Sequence, residues 1–468
     1  MKNNEIIEFT FIIINNKKQN QKSLIESFTK RGFTMKKIIT YGTFDMFHQG
    51  HYNILKRAKE YGDYLIVGVT GENYDIGRGK LSVHDTLATR IENVKNTGLV
   101  DEIIVEEYLG QKIGDLIKYD IDSFVIGDDW VGKFDHLSRY CNMVYLERTK
   151  GISSTQLREE TFENYDIGII TDEIDDNELV KEAKLVNGFQ VKNVFSDDKK
   201  ILDAFQERYN VENEFENLNE MIEHSDIVYI HCAIEKRFNY IRKVLNAGKH
   251  VIYDSPATFK SNELEELISL AKEKNVILME NIKMVHIYVF NQLLWMTQGG
   301  LIGDILSFNC SISKDDENRS NLFYDLSALA LLPMLKIMGQ NYENADFKVT
   351  KEGDEIEFAS MNFVYPNGRA VINVGNVVRV DNQLEIIGTK GTIRMRGNWW
   401  RSKNFSLHKP GEVDAELYNT NFEGNGFKYL IKAMSTMLKN NRIESMGVFE
   451  DESIKIVEIL EKVKNTQS

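Results

Sequence analysis

Cysteine is scarce in this chain: Cys141, Cys232 and Cys310 are the three among 468 residues, far apart and in no metal-ligand spacing. That usage excludes a disulfide framework and a cysteine metal centre, and it points to a reducing compartment. Basic charge is also in short supply, with Lys+Arg at 57 against Asp+Glu at 71 and a net charge of -14. A broad nucleic-acid or anionic-membrane surface is thereby argued against, so any phosphate binding must be local. No apolar run reaches membrane-spanning length, and the N-terminal patch Phe9 to Ile14 lacks the layout of a signal peptide. The expectation is a soluble, cytoplasmic chain with no nucleic-acid partner and no membrane insertion. Histidine is sparse as well, at nine residues, yet two of them fall three apart in His48-Gln49-Gly50-His51.

At roughly 150 residues per domain, the length predicts two or three domains. Residues 1–34 are Asn/Lys-rich and are read as an extension of unknown role, because Met35-Lys36-Lys37 looks like a fresh start before the first strand. From there strand and helix alternate: Ile38-Ile39, a helix over Tyr52 to Tyr61, a strand over Tyr64 to Val69, and a helix around Thr86 to Asn96. A strand over Glu102 to Val105, a helix over Lys112 to Tyr119, and strands over Ser123 to Ile126 and Met143 to Leu146 follow. This alternation predicts a parallel sheet with helices on both faces and ligands at the carboxyl ends of its strands. The residues there are Gly42, Thr43, Phe44 and Asp45 before His48, Gly50 and His51; Gly127, Asp128, Asp129 and Trp130; and Arg148 ahead of Gly151, Ile152, Ser153, Ser154 and Thr155. A helix start offers free N–H groups to an anion, and imidazoles or hydroxyls placed there suit a polyphosphate. The plainer alternatives are packing histidines beside a βα turn and, for Ser153 to Thr155, an ordinary helix cap.

Taken together, Tyr41-Gly42-Thr43-Phe44-Asp45, His48-x-Gly50-His51, Gly127-Asp128-Asp129-Trp130-x-Gly132-Lys133-Phe134-Asp135 and Arg148-Thr149-x-Gly151-Ile152-Ser153-Ser154-Thr155 resemble the glycerol-3-phosphate cytidylyltransferases of the nucleotidyltransferase superfamily. The resemblance covers about residues 35–160, within a domain read as residues 35–162. It implies attack of an acceptor phosphate oxygen on the α-phosphorus of CTP, with pyrophosphate leaving. It also implies His48, His51 and Arg148 as catalytic groups, and the Ser153 to Thr155 cradle on the β- and γ-phosphates. Lys80 and Arg90 would contact phosphates, Lys133 would help bind substrate, and Asp45 would support the loop or the metal-bound triphosphate. Mg²⁺ would arrive with CTP and leave no protein ligand set.

A second βα series runs from Tyr165-Asp166-Ile167-Gly168-Ile169-Ile170 to Val276 to Met279, and predicts another Rossmann-type domain over residues 165–298. After about Gly300 the texture becomes β-rich, with a hairpin expected at Pro366-Asn367-Gly368. Ala247-Gly248-Lys249-His250-Val251, Ile302-Gly303-Asp304-Ile305 and Gly388-Thr389-Lys390-Gly391-Thr392 make this half resemble the Gfo/Idh/MocA oxidoreductases. The resemblance implies an α+β domain with a mainly antiparallel sheet over residues 299–468. The overall fold class is therefore α/β: a nucleotidyltransferase Rossmann-like domain, a second Rossmann-like domain, and a C-terminal α+β domain.

The chemistry of this half departs from that family's pattern. Its glycine fingerprint is replaced by Thr171-Asp172-Glu173-Ile174-Asp175-Asp176, four carboxylates where a pyrophosphate belongs. Its Glu-Lys-Pro is Asp254-Ser255-Pro256, and its Asp-x-Gly-x-His-x-x-Asp is Asp325-Leu326-Ser327-Ala328-Leu329-Ala330-Leu331-Leu332. A leucine relays no proton. NAD(P) binding would fall to Ser196 and Asp197, with Lys283 as a stand-in proton donor. The first expectation is a CMP transferase acting on glycerol 3-phosphate or a related polyol phosphate, for cell-surface polymer synthesis, with a non-catalytic oxidoreductase-like region. The alternative is a bifunctional enzyme that also reduces a keto-phosphate. Both families imply a homo-oligomer.

Overall fold

The structure, a computed structural model, describes residues 35–77, 83–108, 110–147, 163–173, 178–314, 322–353, 355–420, 424–445 and 447–467. They form two compact units, one holding residues 35–75 and 83–147, the other residues 163–467.

In the first unit, strands β1 (Lys37–Gly42), β2 (Tyr64–Thr70), β3 (Glu102–Glu106), β4 (Ser123–Gly127) and β5 (Asn142–Leu146) pair in the order β3-β2-β1-β4-β5. Every pairing is parallel. Helices α1 (Gln49–Lys59), α2 (Glu72–Gly77), α3 (Leu87–Asn96) and α4 (Gln111–Tyr119) join them. A parallel sheet is buried on both faces, and side chains alternate across it, so adjacent apolar residues serve opposite cores. Ile38, Leu65 and Val67 pack with Leu55 and Val94 on one face. Ile39 and Ile66 pack with Leu116 and Phe124 on the other. Chain order reverses between β1 and β4, which opens a crevice at their carboxyl ends.

The second unit begins with β6 (Tyr165–Thr171), β7 (Phe189–Phe195), β8 (Asn213–Phe215), β9 (Ile227–His231), β10 (His250–Tyr253) and β11 (Leu278–Glu280). Their order, β11-β10-β9-β6-β7-β8, is the doubly wound dinucleotide-binding arrangement, parallel throughout. Between these strands lie α5 (Glu178–Glu182), α6 (Lys199–Tyr209), α7 (Leu218–Glu223), α8 (Ile234–Asn246) and α9 (Ser261–Lys274). After α10 (Tyr288–Gln298) come β12 (Ile305–Ser313), α11 (Leu322–Met338), β13 (Asn344–Glu352), β14 (Glu355–Tyr365) and β15 (Gly368–Gly375). The chain continues through β16 (Gln383–Gly388), β17 (Thr392–Arg396), β18 (Asn404–His408) and β19 (Glu416–Asn419) to helices α12 (Phe427–Lys439) and α13 (Glu450–Lys464). The eight-stranded sheet β13-β14-β15-β12-β16-β17-β18-β19 is antiparallel except between β12 and β15. The expected hairpin is present, with Tyr365 opposite Gly368.

The C-terminal helix α12 turns back to the Rossmann part, where Phe427, Leu430, Ile431 and Met434 pack with Ile167, Ile169 and Tyr229. Residues 165–298 therefore do not complete their own core.

Candidate active site

The first site grows from the end of β1. Phe44 and Met46 take left-handed backbone angles (φ 54° and 47°), which fold the chain into a tight turn before α1. The helix starts at Gln49, three residues before the expected Tyr52, because His48 caps it. The Gly50 N–H donates to His48 Nδ1 at 3.0 Å, and the His48 N–H approaches His51 Nδ1 at 3.4 Å. The two rings stack at 4.0 Å, and Phe44 and Phe47 each pack on His51 at 5.5 Å. An Nδ1 that accepts a hydrogen bond places the ring proton on Nε2. The turn thus holds two parallel imidazoles as Nε2–H donors at the positive end of a helix.

Asp45 underlies this turn. Its Oδ1 accepts from the N–H groups of His84 at 2.9 Å and Asp85 at 2.8 Å, while the Met46 N–H donates to Asp85 Oδ2 at 2.9 Å. That double clasp ties the loop after β1 to the segment leading into α3.

Arg90 lies beneath the same loop. It is fully buried: Nη1 donates to the carbonyls of Thr43 at 3.0 Å and Thr70 at 2.8 Å, Nε donates to the carbonyl of Asp85, and Asp75 lies 3.6 Å away, while Nη2 is buried without a hydrogen-bond partner among the described residues. It braces the loop from below, a role fixed by its position on the inward face of α3. Gly127 ends β4, the neighbour of β1, and Asp128 to Trp130 form a single 3-10 turn there. Trp130 packs on Phe134 at 5.4 Å, with Lys133 Nζ 4.9 Å from the indole centre. Lys80, Arg148, Gly151, Ile152, Ser153, Ser154 and Thr155 lie outside the described residues.

In the second unit, a cavity of about 1090 Å³ opens at the carboxyl ends of β9, β10 and β11, bounded on the far side by α11 and the segments around Arg379 to Asn382 and Asn398 to Arg401. His231 Nδ1 lies 2.6 Å from Asp254 Oδ2; the Tyr229 hydroxyl donates to Asp254 Oδ1 at 2.7 Å, and Asn281 Nδ2 donates to the same oxygen at 2.9 Å. Lys283 also lines the cavity, with Nζ 3.6 Å from Glu178 and 4.2 Å from the centre of the Phe427 ring. Burial pushes the Lys283 ammonium down and the Glu178 carboxyl up, both toward their neutral forms. Of the positions where the family's proton-bearing residues are missing, Leu329 lines this cavity, Ser255 donates to Glu280, and Leu332 sits in the core.

Ser196 and Asp197 follow β7 as expected for a ribose-binding corner. Ser196 Oγ accepts from the Asp198 N–H at 3.2 Å, and Asp197 accepts from the Tyr240 hydroxyl. Asp172, one of the four carboxylates of the expected repulsive cluster, receives the Ala233 N–H at 3.1 Å and lies 3.3 Å from Lys236. Its charge is compensated; Asp175 and Asp176 lie outside the described residues. Tyr229, His231 and Asn281 were not singled out by the sequence, although a histidine ending a central apolar strand of a doubly wound sheet is a legible signal.

A turn of paired histidines at the switch point of a five-stranded parallel sheet defines a nucleotidyltransferase. Residues 39–160 match the cytidylyltransferase-like family model, and residues 173–282 match the oxidoreductase family's NAD-binding Rossmann fold. The glycerol-3-phosphate cytidylyltransferase of Bacillus spizizenii is 52% identical over 126 residues, covering 27% of this chain and 97% of that protein. That of Staphylococcus aureus is 43% identical over 128 residues, covering 27% of this chain and 96% of that protein. Through its first unit the chain belongs to the glycerol-3-phosphate cytidylyltransferase family. For the second unit, the crystal structure of a 3-ketoreductase from Actinomadura kijaniata in complex with NADP and TDP-benzene superposes with a TM-score of 0.56 at 19% identity, covering 64% of this chain and 97% of that one. The second unit thus has the fold of NAD(P)-dependent oxidoreductases. Among the described residues, no helix is long and apolar enough to cross a membrane.

Proposed function

We propose that the first unit transfers CMP from CTP, entering as its Mg²⁺ complex, to glycerol 3-phosphate or a closely related polyol phosphate. An acceptor phosphate oxygen attacks the α-phosphorus in line, the bond to the bridging oxygen breaks, and pyrophosphate leaves with that electron pair. Such a reaction needs positioning and charge neutralisation rather than a covalent nucleophile. The observation that carries this reading is the stacked His48–His51 pair, whose Nδ1 atoms face backbone N–H groups and whose Nε2–H groups are therefore donors suited to equatorial phosphoryl oxygens. Arg148 and the Ser153 to Thr155 segment would hold the β- and γ-phosphates, and Lys80 the acceptor. The product would feed phosphoglycerol-containing surface polymers. Pyrophosphate release from CTP and glycerol 3-phosphate tests the reading: release is expected, with a loss of about 100-fold or more in His51→Ala. No release with any polyol phosphate would sink it.

A second activity is favoured by one observation, the ionisable groups that line the second cavity despite the family's missing lysine and histidine. The chemistry of the available groups fits a nicotinamide dinucleotide: an acid, Asp197, at the corner after β7, Asp172 compensated by Lys236, and a roomy polar cavity at the ends of β9 to β11. Such a cofactor, when bound, supplies or takes up hydride. Ser196 and Asp197 would hold its ribose, and Lys283 would stand in the cavity beside Glu178. Fluorescence titration with NADH and NADPH tests this reading, and no binding at millimolar concentration would remove it.

A further inference from the structure

We infer that His231, oriented by Asp254 and Tyr229, is the proton-transfer residue of the second cavity, acting on the oxygen of a secondary carbinol or ketone in a polyol or keto phosphate. The inference rests on the second activity above. Three observations converge on it. First, His231 ends the central strand β9 at the cavity wall, with its side chain 6% exposed. It stands where chain order places ligands. Second, its Nδ1 is committed to Asp254 at 2.6 Å, and Asp254 is fixed in turn by Tyr229 and Asn281 through its other oxygen. A carboxylate on Nδ1 keeps the proton there, so Nε2 is the basic nitrogen of the neutral ring; protonation at Nε2 makes it an acid held in a set orientation. Third, Leu329, which replaces the family's histidine, belongs to α11 and lines the same cavity. The proton-bearing imidazole has thus moved from helix to strand.

The contrast with the first unit supports the assignment. There both Nδ1 atoms accept backbone N–H groups, which makes the rings donors at Nε2 and suits them to phosphate. At His231 the partner is a carboxylate, the arrangement that turns imidazole into a base. Lys283 is committed to Glu178 and to the face of Phe427.

In the reducing direction, a bound dihydronicotinamide dinucleotide would supply hydride to the carbonyl carbon. The carbonyl π-bond breaks as its oxygen takes the Nε2 proton. His231 is left neutral, its Nδ1–H still donating to Asp254, and solvent restores the Nε2 proton. Oxidation runs the same steps backward, with Nε2 accepting the hydroxyl proton. The charged and titratable groups that share the cavity lining with His231 are Asp254 and Tyr229 from its own sheet, Lys283 after β11, Glu178 on α5, Asp325 on α11, and Lys314, Arg379, Asp381 and Arg401 from the far side, with Arg237 behind Asp254.

The test uses the full chain with NADPH and dihydroxyacetone phosphate, following absorbance loss for turnover and fluorescence for cofactor affinity. For His231→Asn we expect kcat to fall about 100-fold or more, with NADPH affinity and KM within a few-fold of the unsubstituted chain. For Asp254→Asn we expect a comparable kcat loss and, in histidine-selective ¹⁵N spectra, transfer of the His231 proton from Nδ1 to Nε2. Turnover that survives His231→Asn but is lost in Lys283→Met overturns the assignment alone. A ¹⁵N spectrum of the unsubstituted protein with the His231 proton on Nε2 also overturns it. Failure of the unsubstituted chain to bind NADPH overturns the second activity and the assignment together.

Discussion

At the scale of single residues, hydrogen-bond partners rather than residue type decide what each histidine does. His48 and His51 were legible in the sequence because their spacing is tied to a helix start, whereas the His231 partnership depends on Asp254 and Asn281, far along the chain. Long-range pairing of that kind carries no local signal. The burial of Arg90 was hidden for a related reason, since a single charged residue in a helix reads as exposed until its neighbours are known. Asp45 offers a direct check. Asp45→Ala removes the acceptor for two backbone N–H groups, and the partly exposed loop should cost about 1–2 kcal/mol of stability. Because the clasp holds the histidine turn, CTP turnover should fall further than thermal stability does, and a kinetic assay beside a melting curve separates the two. Gly68→Ala is the opposite case, a purely structural change. A Cβ there would lie 2.2 Å from the Tyr41 ring, which is buried and bonded to Asp115 at 2.8 Å. Overpacking of this kind costs roughly 1–3 kcal/mol, readable as a lower urea midpoint.

At the scale of elements, the parallel strands other than the short β8 were legible to within about three residues, because strands buried on both faces are short continuous apolar runs between turns. Helix α11 was not found. Twelve of its seventeen residues are buried, so it has no polar face and no amphipathic period. It also carries Asp325, whose pairing with Arg237 at 3.0 Å ties α11 to α8. Arg237 is 2% exposed and donates to the carbonyls of Cys232 and Pro256 at 2.8 and 2.9 Å. Arg237→Leu should therefore destabilise the second unit by about 3–5 kcal/mol, more than Asp325→Asn, as measured by denaturant unfolding.

The 3-10 turn Lys283–His286 adds a pH dependence. Burial, with Lys336 as a lesser cause, pushes His286 down to about 4 from the usual 6.5. Between those values the unfolded chain binds a proton that the folded chain does not, so stability rises with pH across the window and is lost as pH falls from about 6.5 toward 4. The full effect is on the order of 3 kcal/mol. His286→Gln should flatten that limb of the stability curve between pH 7 and pH 5.

For the whole molecule, each unit has its own hydrophobic core and its own crevice, and the first strand of the second unit was visible as the apolar run that begins at Tyr165. The sequence did not reveal that α12 returns to complete the Rossmann part, since a helix's packing partner is not written in its period. Two cores predict heat unfolding that departs from a single cooperative step. A ligand that binds only the folded state stabilises the unit that holds it, by about 2.7 kcal/mol at a hundredfold excess over its dissociation constant. CTP with Mg²⁺ should therefore raise one calorimetric transition, and NADPH the other. The CTP shift should vanish in His51→Ala and persist in His231→Asn, which leaves the first crevice untouched. If CTP moved both transitions together, the two units would be thermodynamically coupled, and substitutions in one site would have to be read for their effect on the other.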